Sequence, residues 1–326
     1  MHVTVTGGAG YIGALLVREL RSAGHTVAAL DLLLHGQEEA AALVEELGAT
    51  LVTGDVRDAD ARERALAGAD AVVHLAAIVG DPACKRDPEL SQEVNVEGTR
   101  AVVADARRLG AERFVFASTC SNYGRMEDPT VPIDESGALA PVSLYAEQKV
   151  EVERELLALD DPSFAATCLR FATVYGAAPR MRFDLTVNEF TRELWADREL
   201  EVFGEQFWRP YVHAADAARA MVLVLDASSQ QVAGEVFNVG HSDENFRKLD
   251  LVEMITDVLG QGKVSYVRRD EDPRDYKVSF EKIRRELAFQ PEMTVAGGIR
   301  EVVDGLEQQR FGDPYDARHS NLTAAS

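Results

Sequence analysis

Cysteine is scarce in this chain. Three occur in 326 residues, Cys84, Cys120 and Cys168, and no two have CxxC spacing. An odd, scattered set argues against a disulfide framework and a zinc site, so no metal is expected. It fits a reducing compartment, and a cytoplasmic location is expected. No run of about 20 apolar residues occurs, so no membrane span is expected. The first β run begins at residue 2 or 3, which leaves no length for a signal peptide. Positive charge is also in deficit. Lys plus Arg number 34 against 55 Asp plus Glu, a formal charge of −21. Such a surface repels polyanions, and no basic stripe interrupts it, so nucleic acid is not an expected partner. A small anionic ligand remains open, because a few Arg residues and one helix N-terminus can hold it.

What is present is ordinary for a globular chain, with 46% hydrophobic and 27% charged residues. At about 150 residues per domain, the length suggests two domains. The first half alternates short β runs with helical stretches. Strands are read at His2–Thr6, Thr26–Leu30, Thr50–Thr53, Ala71–Leu75, Arg113–Ala117 and Ala165–Leu169. Long helices are read at Pro88–Leu109 and Val142–Leu159. Gly24, Gly48, Gly68 and Gly110 each stand between a helix and the next strand, where C-caps belong. The pattern predicts a Rossmann-like, doubly wound α/β domain with a parallel sheet. After residue 176 it loosens, with helices near 184–196, 213–227, 247–259 and 296–308 and short strands near 200–203, 235–238 and 264–267. The chain is therefore divided into a dinucleotide domain over 1–176, a smaller α/β substrate lobe over 177–312, and a frayed polar tail over 313–326.

The first strand runs into Gly7-Gly8-Ala9-Gly10-Tyr11-Ile12-Gly13, and a helix follows at once. The spacing GxxGxxG has the mechanics of a dinucleotide loop. Gly7 permits the tight turn, Gly10 lets amides approach a diphosphate, and Gly13 lets helix and strand pack closely. The positive helix end then faces the anion. Asp31 ends the second strand, 18 residues after Gly13. A carboxylate there accepts ribose hydroxyls and repels a 2′-phosphate, which favours NAD over NADP. Asp55, before Val56, follows the third strand. It could meet the adenine edge or cap a helix.

Tyr145 and Lys149 stand four residues apart, on one face of a predicted helix. A Lys ammonium and a nicotinamide cation would lower the pKa of the phenol, so that Tyr145 could take a proton from a substrate hydroxyl. The strand before that helix ends in Ser118-Thr119-Cys120-Ser121-Asn122-Tyr123-Gly124. In open α/β sheets, ligands sit at such strand ends.

These motifs together resemble the extended short-chain dehydrogenase/reductases, in their NAD-dependent nucleotide-sugar epimerase/dehydratase group. Supporting pieces are His74-Leu75-Ala76-Ala77, Asn95-Val96-Glu97-Gly98-Thr99 and Leu169-Arg170-Phe171-Ala172-Thr173-Val174-Tyr175-Gly176. The resemblance runs from Thr6 to about Phe289. It implies Thr119, Tyr145 and Lys149 as the catalytic triad. It places Tyr11, Ile12, Val56, Leu75, Ala76 and Ala77 against NAD, with Lys149 also on the nicotinamide ribose. It implies a nucleotide-diphosphate sugar as substrate, and a homodimer formed through the two long helices.

Within that group, dehydratases carry Asp and Glu where this chain has Cys120 and Ser121, and decarboxylases keep a Glu where Ser121 stands. Small or hydroxyl residues there resemble the 4-epimerases. The resemblance therefore implies epimerisation at C4 through a transient 4-keto sugar. A 4-ketoreductase is the alternative, and a 4,6-dehydratase, a decarboxylase or a non-catalytic NAD sensor stand behind it. Cys120 is open between a small packing residue and a thiol acid/base near the sugar. Arg209, in Phe207-Trp208-Arg209-Pro210-Tyr211, matches a diphosphate-binding Arg, and Arg274 matches a second. Asn188 lies near a substrate-phosphate position. Asp216 reads as a helix-start residue. Arg180 and Arg182, in Pro179-Arg180-Met181-Arg182-Phe183-Asp184, are not part of the common pattern. Either one of them binds a sugar carboxylate, as in a uronic-acid substrate, or they are partners in surface salt bridges.

Overall fold

The computed structural model describes residues 1–126, 128, 131–267 and 274–322. Among the described residues there are twelve strands: β1 His2–Thr6, β2 Thr26–Asp31, β3 Thr50–Thr53, β4 Ala71–His74, β5 Arg113–Thr119, β6 Ala165–Phe171, β7 Thr173–Tyr175, β8 Glu199–Phe203, β9 Trp208–His213, β10 Glu235–Val239, β11 Asn245–Arg247 and β12 Lys263–Val267. Seven of them form one sheet in the order β10-β6-β5-β4-β1-β2-β3, and every pairing is parallel. Register is set by the buried faces. Thr6 lies beside Leu30 and His74, and Thr119 beside Phe171. The C-terminal ends of β1, β2, β4 and β5 therefore meet at one edge.

The helices cover both faces of this sheet. They are α1 Gly13–Ser22, α2 Glu38–Glu46, α3 Ala59–Leu66, α4 Asp81–Arg86, α5 Pro88–Gln92, α6 Thr99–Arg108, α7 Leu144–Leu157, α8 Thr186–Trp195, α9 Ala214–Asp226, α10 Ser229–Val232, α11 Lys248–Leu259, α12 Glu281–Leu287 and α13 Val295–Glu307. Period two sorts the side chains. Val3 and Val5 turn to one face and meet Leu16 and Leu20 of α1 and Met221 and Val224 of α9. Phe114 and Phe116 turn to the other and meet Leu66 of α3, Val102 of α6 and Leu156 of α7. A third core, with Val187, Phe190, Val202, Ile255 and Ile299, fills the lobe.

Four features differ from the sequence reading. Strand β10 does not belong to the lobe. It extends the main sheet beside β6, and α9 packs on α1, so the lobe is not one contiguous stretch. The helix read at Pro88–Leu109 is α5 and α6 joined by a wider turn at Glu93–Gly98, where the Asn95–Thr99 motif falls. Strands β7, β9 and β11 form a small sheet that alternation alone did not separate from loop. Finally, residues 313–322 of the tail are not frayed. The amide of Phe183 donates to the His319 carbonyl at 2.8 Å, and the amide of Asn321 donates to Asp184 Oδ2 at 3.0 Å. Arg86 donates to the Leu322 carbonyl. Backbone bonds to a loop hold this polar segment where apolar burial does not, and composition does not reveal that.

Candidate active site

The site begins at the turn from β1 into α1. Gly7 has φ +72, and a Cβ there would lie 3.0 Å from the Ala76 amide. A Cβ on Gly13 would fall 2.0 Å from the Gly7 carbonyl, so only glycine lets α1 start this close to β1. The result is a shallow cradle with the N-terminus of α1 aimed into it. Leu75 and Ala76 close one side, with Leu75 N donating to Thr6 O at 3.0 Å and Ala76 N to Thr6 Oγ1 at 3.2 Å. His74 fixes that hydroxyl. Its Nδ1 lies 2.8 Å from Thr6 Oγ1 and its Nε2 2.9 Å from Thr99 Oγ1. Thr99 donates its own proton to Asn95 O. The network therefore requires a neutral imidazole protonated at Nε2, and burial, with Lys149 nearby, lowers its pKa to about 3.

At the tip of β2, Asp31 is buried. Its Oδ2 accepts from Ala9 N at 2.9 Å, and its Oδ1 from Leu33 N at 2.9 Å and Gln37 Nε2 at 3.3 Å. Burial raises its pKa, and these bonds oppose the rise. The carboxylate thus steadies the glycine loop from the tip of β2. Asp55 is chelated by Arg57, with contacts from 2.7 to 3.1 Å. Burial acts to raise its pKa, but the Arg57 bonds outweigh it and hold the carboxyl low. The helix cap proposed for Asp55 belongs instead to Asp58, which accepts from Asp60 N. Val56 is buried in the core below. The glycine cradle, the helix end and the Asp31 carboxylate fit a bound dinucleotide.

Helix α7 starts at the cap Ser143, which accepts from Ala146 N at 3.3 Å. Tyr145 is in its first turn and Lys149 one turn on. Lys149 is 3% exposed. Its ammonium donates to Ala117 O at 2.8 Å and lies 4.5 Å from the Phe116 ring centroid and 5.8 Å from that of Tyr145. Burial lowers its pKa to about 8, so it stays mostly protonated at neutral pH. Burial raises the Tyr145 pKa, nearby Cys84 adds to the rise, and Arg182 opposes it.

Thr119 ends β5 and accepts from Ser121 N at 3.1 Å. Cys120 turns the other way. It is 1% exposed, and its thiol donates to Arg170 O at 3.2 Å. Of the two readings left open for Cys120 the structure favours the packing role, because the chain leaves β5 into a short 3-10 turn at Cys120–Tyr123 that puts the thiol into the core beside Val115. Asn188 is corrected. It is fully buried, accepting from Gly176 N at 2.9 Å and donating to Arg182 O at 2.9 Å and Tyr11 Oη at 3.2 Å. Tyr11 in turn donates to Gly176 O at 2.6 Å. Asn188 and Tyr11 fasten the lobe to the glycine loop, which leaves neither polar end for a ligand. Asp216 accepts from the amides of Glu292 and Met293 in the first turn of α9, a structural role.

The Arg209 guanidinium lies 5.6 Å from the Tyr276 ring centroid, and the Arg274 charge also bears on that phenol. Tyr276 reaches Ser121 Oγ at 3.5 Å, which joins the arginine pair to the loop after β5. Arg182 is held by Asp184 at 2.8 and 3.0 Å, as a salt bridge at the cleft. The cleft also rests on residues that the motifs did not mark. Glu153, one turn beyond Lys149 on the same face of α7, forms a buried ion pair with Arg170 at 2.5 Å and accepts from Ser118 Oγ at 2.7 Å. The four-residue spacing from Tyr145 through Lys149 to Glu153 was the available signal.

A parallel sheet with a glycine cradle and a Tyr/Lys pair at its C-terminal edge defines a Rossmann-like dinucleotide-dependent enzyme. The chain belongs to the NAD dependent epimerase/dehydratase family, whose family model matches residues 3–240. It is 31% identical over 312 residues to a UDP-glucose 4-epimerase of Corynebacterium glutamicum, covering 90% of this chain and 92% of the relative. It is 32% identical over 326 residues to a dTDP-glucose 4,6-dehydratase of Streptomyces niveus, covering 95% and 94%. The crystal structure of Thermus thermophilus UDP-glucose 4-epimerase in complex with NAD superposes with a TM-score of 0.83 at 27% identity, covering 94% of this chain and 99% of that one. The enzyme is thus an NAD-dependent member of a nucleotide-sugar family. Among the described residues no helix is long and apolar enough to cross a membrane.

Proposed function

We propose that the enzyme epimerises a nucleotide-activated sugar, at C4, through a transient 4-keto sugar. The observation that carries this reading is the loop after β5. Residues 120 and 121 are Cys and Ser, and the Cys120 thiol is turned into the core. Elimination of water needs an acid and a base beside the sugar. The nearest carboxylates behind this loop are engaged, Glu153 by Arg170 and Glu135 by the Asn238 amide at 2.7 Å. Relatives bearing epimerase names support the reading, and a dehydratase name among them makes the test necessary.

NAD bound in the cradle supplies a reversible hydride acceptor. Tyr145 takes the proton from the C4 hydroxyl and later returns it. Thr119 holds the same oxygen by a hydrogen bond. Lys149 keeps a positive charge beneath the phenol. Arg209 and Arg274 hold the sugar-nucleotide diphosphate by charge-assisted bonds while the sugar turns over in the site. No net redox change occurs.

Proton NMR on the protein with catalytic NAD and UDP-, TDP- and GDP-hexoses, uronic acids included, tests this. The expected result is one sugar converting to its C4 epimer with no growth of NADH absorbance. Turnover only with a 4-keto sugar and stoichiometric reduced cofactor would make the enzyme a ketoreductase instead.

A homodimer through the long helices is proposed on the family resemblance. Their outward face carries Arg100 within reach of Glu97, Glu151 and Glu155, at 2.6 Å for Glu151, and a partner must accommodate that charge. Sedimentation should show a dimer at micromolar concentration, and a monomer there refutes it.

A further inference from the structure

Arg180 lies in the loop after β7, yet it faces the other half of the molecule. It is 6% exposed. Together with Gln37 it lines a cavity of about 20 Å³ between that loop and the start of α2. Gln37 donates to Ala9 O at 3.1 Å and to the Asp31 carboxylate, so Arg180 stands one side chain away from the glycine loop and that carboxylate. This is the Asp31 side of the cleft.

The surroundings hold this guanidinium without satisfying it. One terminal nitrogen donates to the Arg318 carbonyl at 3.3 Å. The Nε is buried and makes no hydrogen bond. No ion pair includes Arg180 among the described residues; the Asp184 and Asp31 charges bear on it, and Glu39, which lines the same cavity, is paired with Arg318. Asp31 is occupied by Ala9, Leu33 and Gln37, and Asp184 by Arg182 and the Asn321 amide. A buried, permanently charged fork with an unused donor is costly unless an acceptor arrives. Arginine is suited to a phosphate, which it can grip with two parallel bonds. The loop cannot swing freely. Met181 is buried, and the segment 319–321 bonds to Phe183 and Asp184 from outside.

We propose that Arg180 is a cofactor-binding residue whose guanidinium takes the diphosphate of the bound dinucleotide from the lobe side, with the C-terminal strap holding it in place. The glycine loop grips the diphosphate from one domain, and Arg180 closes on it from the other. Such a clamp suits an enzyme that keeps its cofactor from one turnover to the next. The proposal rests on NAD occupying the cradle, not on which sugar is turned over.

The test is direct binding, with no turnover involved. NADH is titrated by its fluorescence against the wild type, Arg180→Met and Arg180→Lys, and ADP, adenosine and NADPH are measured by competition. Arg180→Met should weaken NADH and ADP about 10- to 100-fold, the range of a charge-assisted bond, and leave adenosine unchanged. Arg180→Lys should fall between, because it keeps the charge but loses the fork. It carries the test if the Met variant does not fold. Unchanged NADH and ADP binding would overturn the proposal, since the Nε is then served by one water in the cavity. Equal loss for adenosine would reduce Arg180 to a packing residue, and loss confined to NADPH would assign it to a 2′-phosphate. A wild type that fails to bind NADH would instead overturn the dinucleotide cradle itself.

Discussion

Tyr145→Phe is expected to lower turnover by about 10²- to 10⁴-fold, the usual worth of a positioned general acid–base group. The same variant should bind NADH about as tightly as the wild type. Tyr145 is in the first turn of α7, half-buried, and among the described residues no hydrogen bond of its hydroxyl ties that helix to the rest of the fold. Lys149→Met should behave differently. Lys149 donates to Ala117 O at 2.8 Å and lies over Phe116, so its removal touches both the charge beneath the phenol and the seat of α7 on β5. Turnover should fall by a similar factor and NADH affinity should fall with it. Rapid-quench rates and fluorescence titration on both variants separate the two effects. A Tyr145→Phe enzyme within tenfold of wild-type turnover would remove Tyr145 from the proton path and revive a non-catalytic role for the fold.

The sequence disclosed the framework of this site through spacing. The strand alternation, the Gly7–Gly13 loop, Asp31 and the Tyr145/Lys149 pair all depend on local geometry, which a linear pattern records. Its errors share a cause. Cys120 and Asn188 were placed by their neighbourhood in the chain, but side-chain direction decides their role. The 3-10 turn after β5 puts Cys120 into the core, and the closure of the lobe onto the glycine loop consumes every polar atom of Asn188. Strand β10 was assigned to the lobe because it follows lobe helices, but its pairing with β6 is a contact between residues about 70 apart. The strap at 316–322 is held by backbone bonds, and its polar composition concealed it. Long-range pairing and side-chain direction carry no signature in composition.

The second large effect is expected at Glu153. This carboxylate is 1% exposed, and it binds Arg170 through both oxygens, at 2.5 and 3.2 Å. Burial acts against the Arg170 charge, but Glu153 outweighs it and holds the guanidinium pKa above its ordinary value. Ser118 donates to Glu153, and Arg170 donates to Tyr123 at 2.8 Å, which donates in turn to Asn238 of β10 at 2.8 Å. One buried network therefore joins α7, β5, β6 and β10 behind the catalytic loop. Glu153→Leu leaves Arg170 buried without its counter-charge. The cost should be about 3–5 kcal/mol, as for other buried pairs broken on one side. At about 2–4 °C per kcal/mol the melting temperature should drop by roughly 10 °C. Pairing it with Arg170→Met removes the orphaned charge and should recover most of that loss, because an apolar pair of similar volume often replaces a buried ion pair at little cost. Turnover in the double variant should stay low, since Ser118 and Tyr123 lose the partners that hold the Thr119 loop against α7. Thermal unfolding of the two single variants and the double variant completes the cycle. A Glu153→Leu protein that melts within 2 °C of wild type, or a double variant with full activity, would show that the network positions nothing.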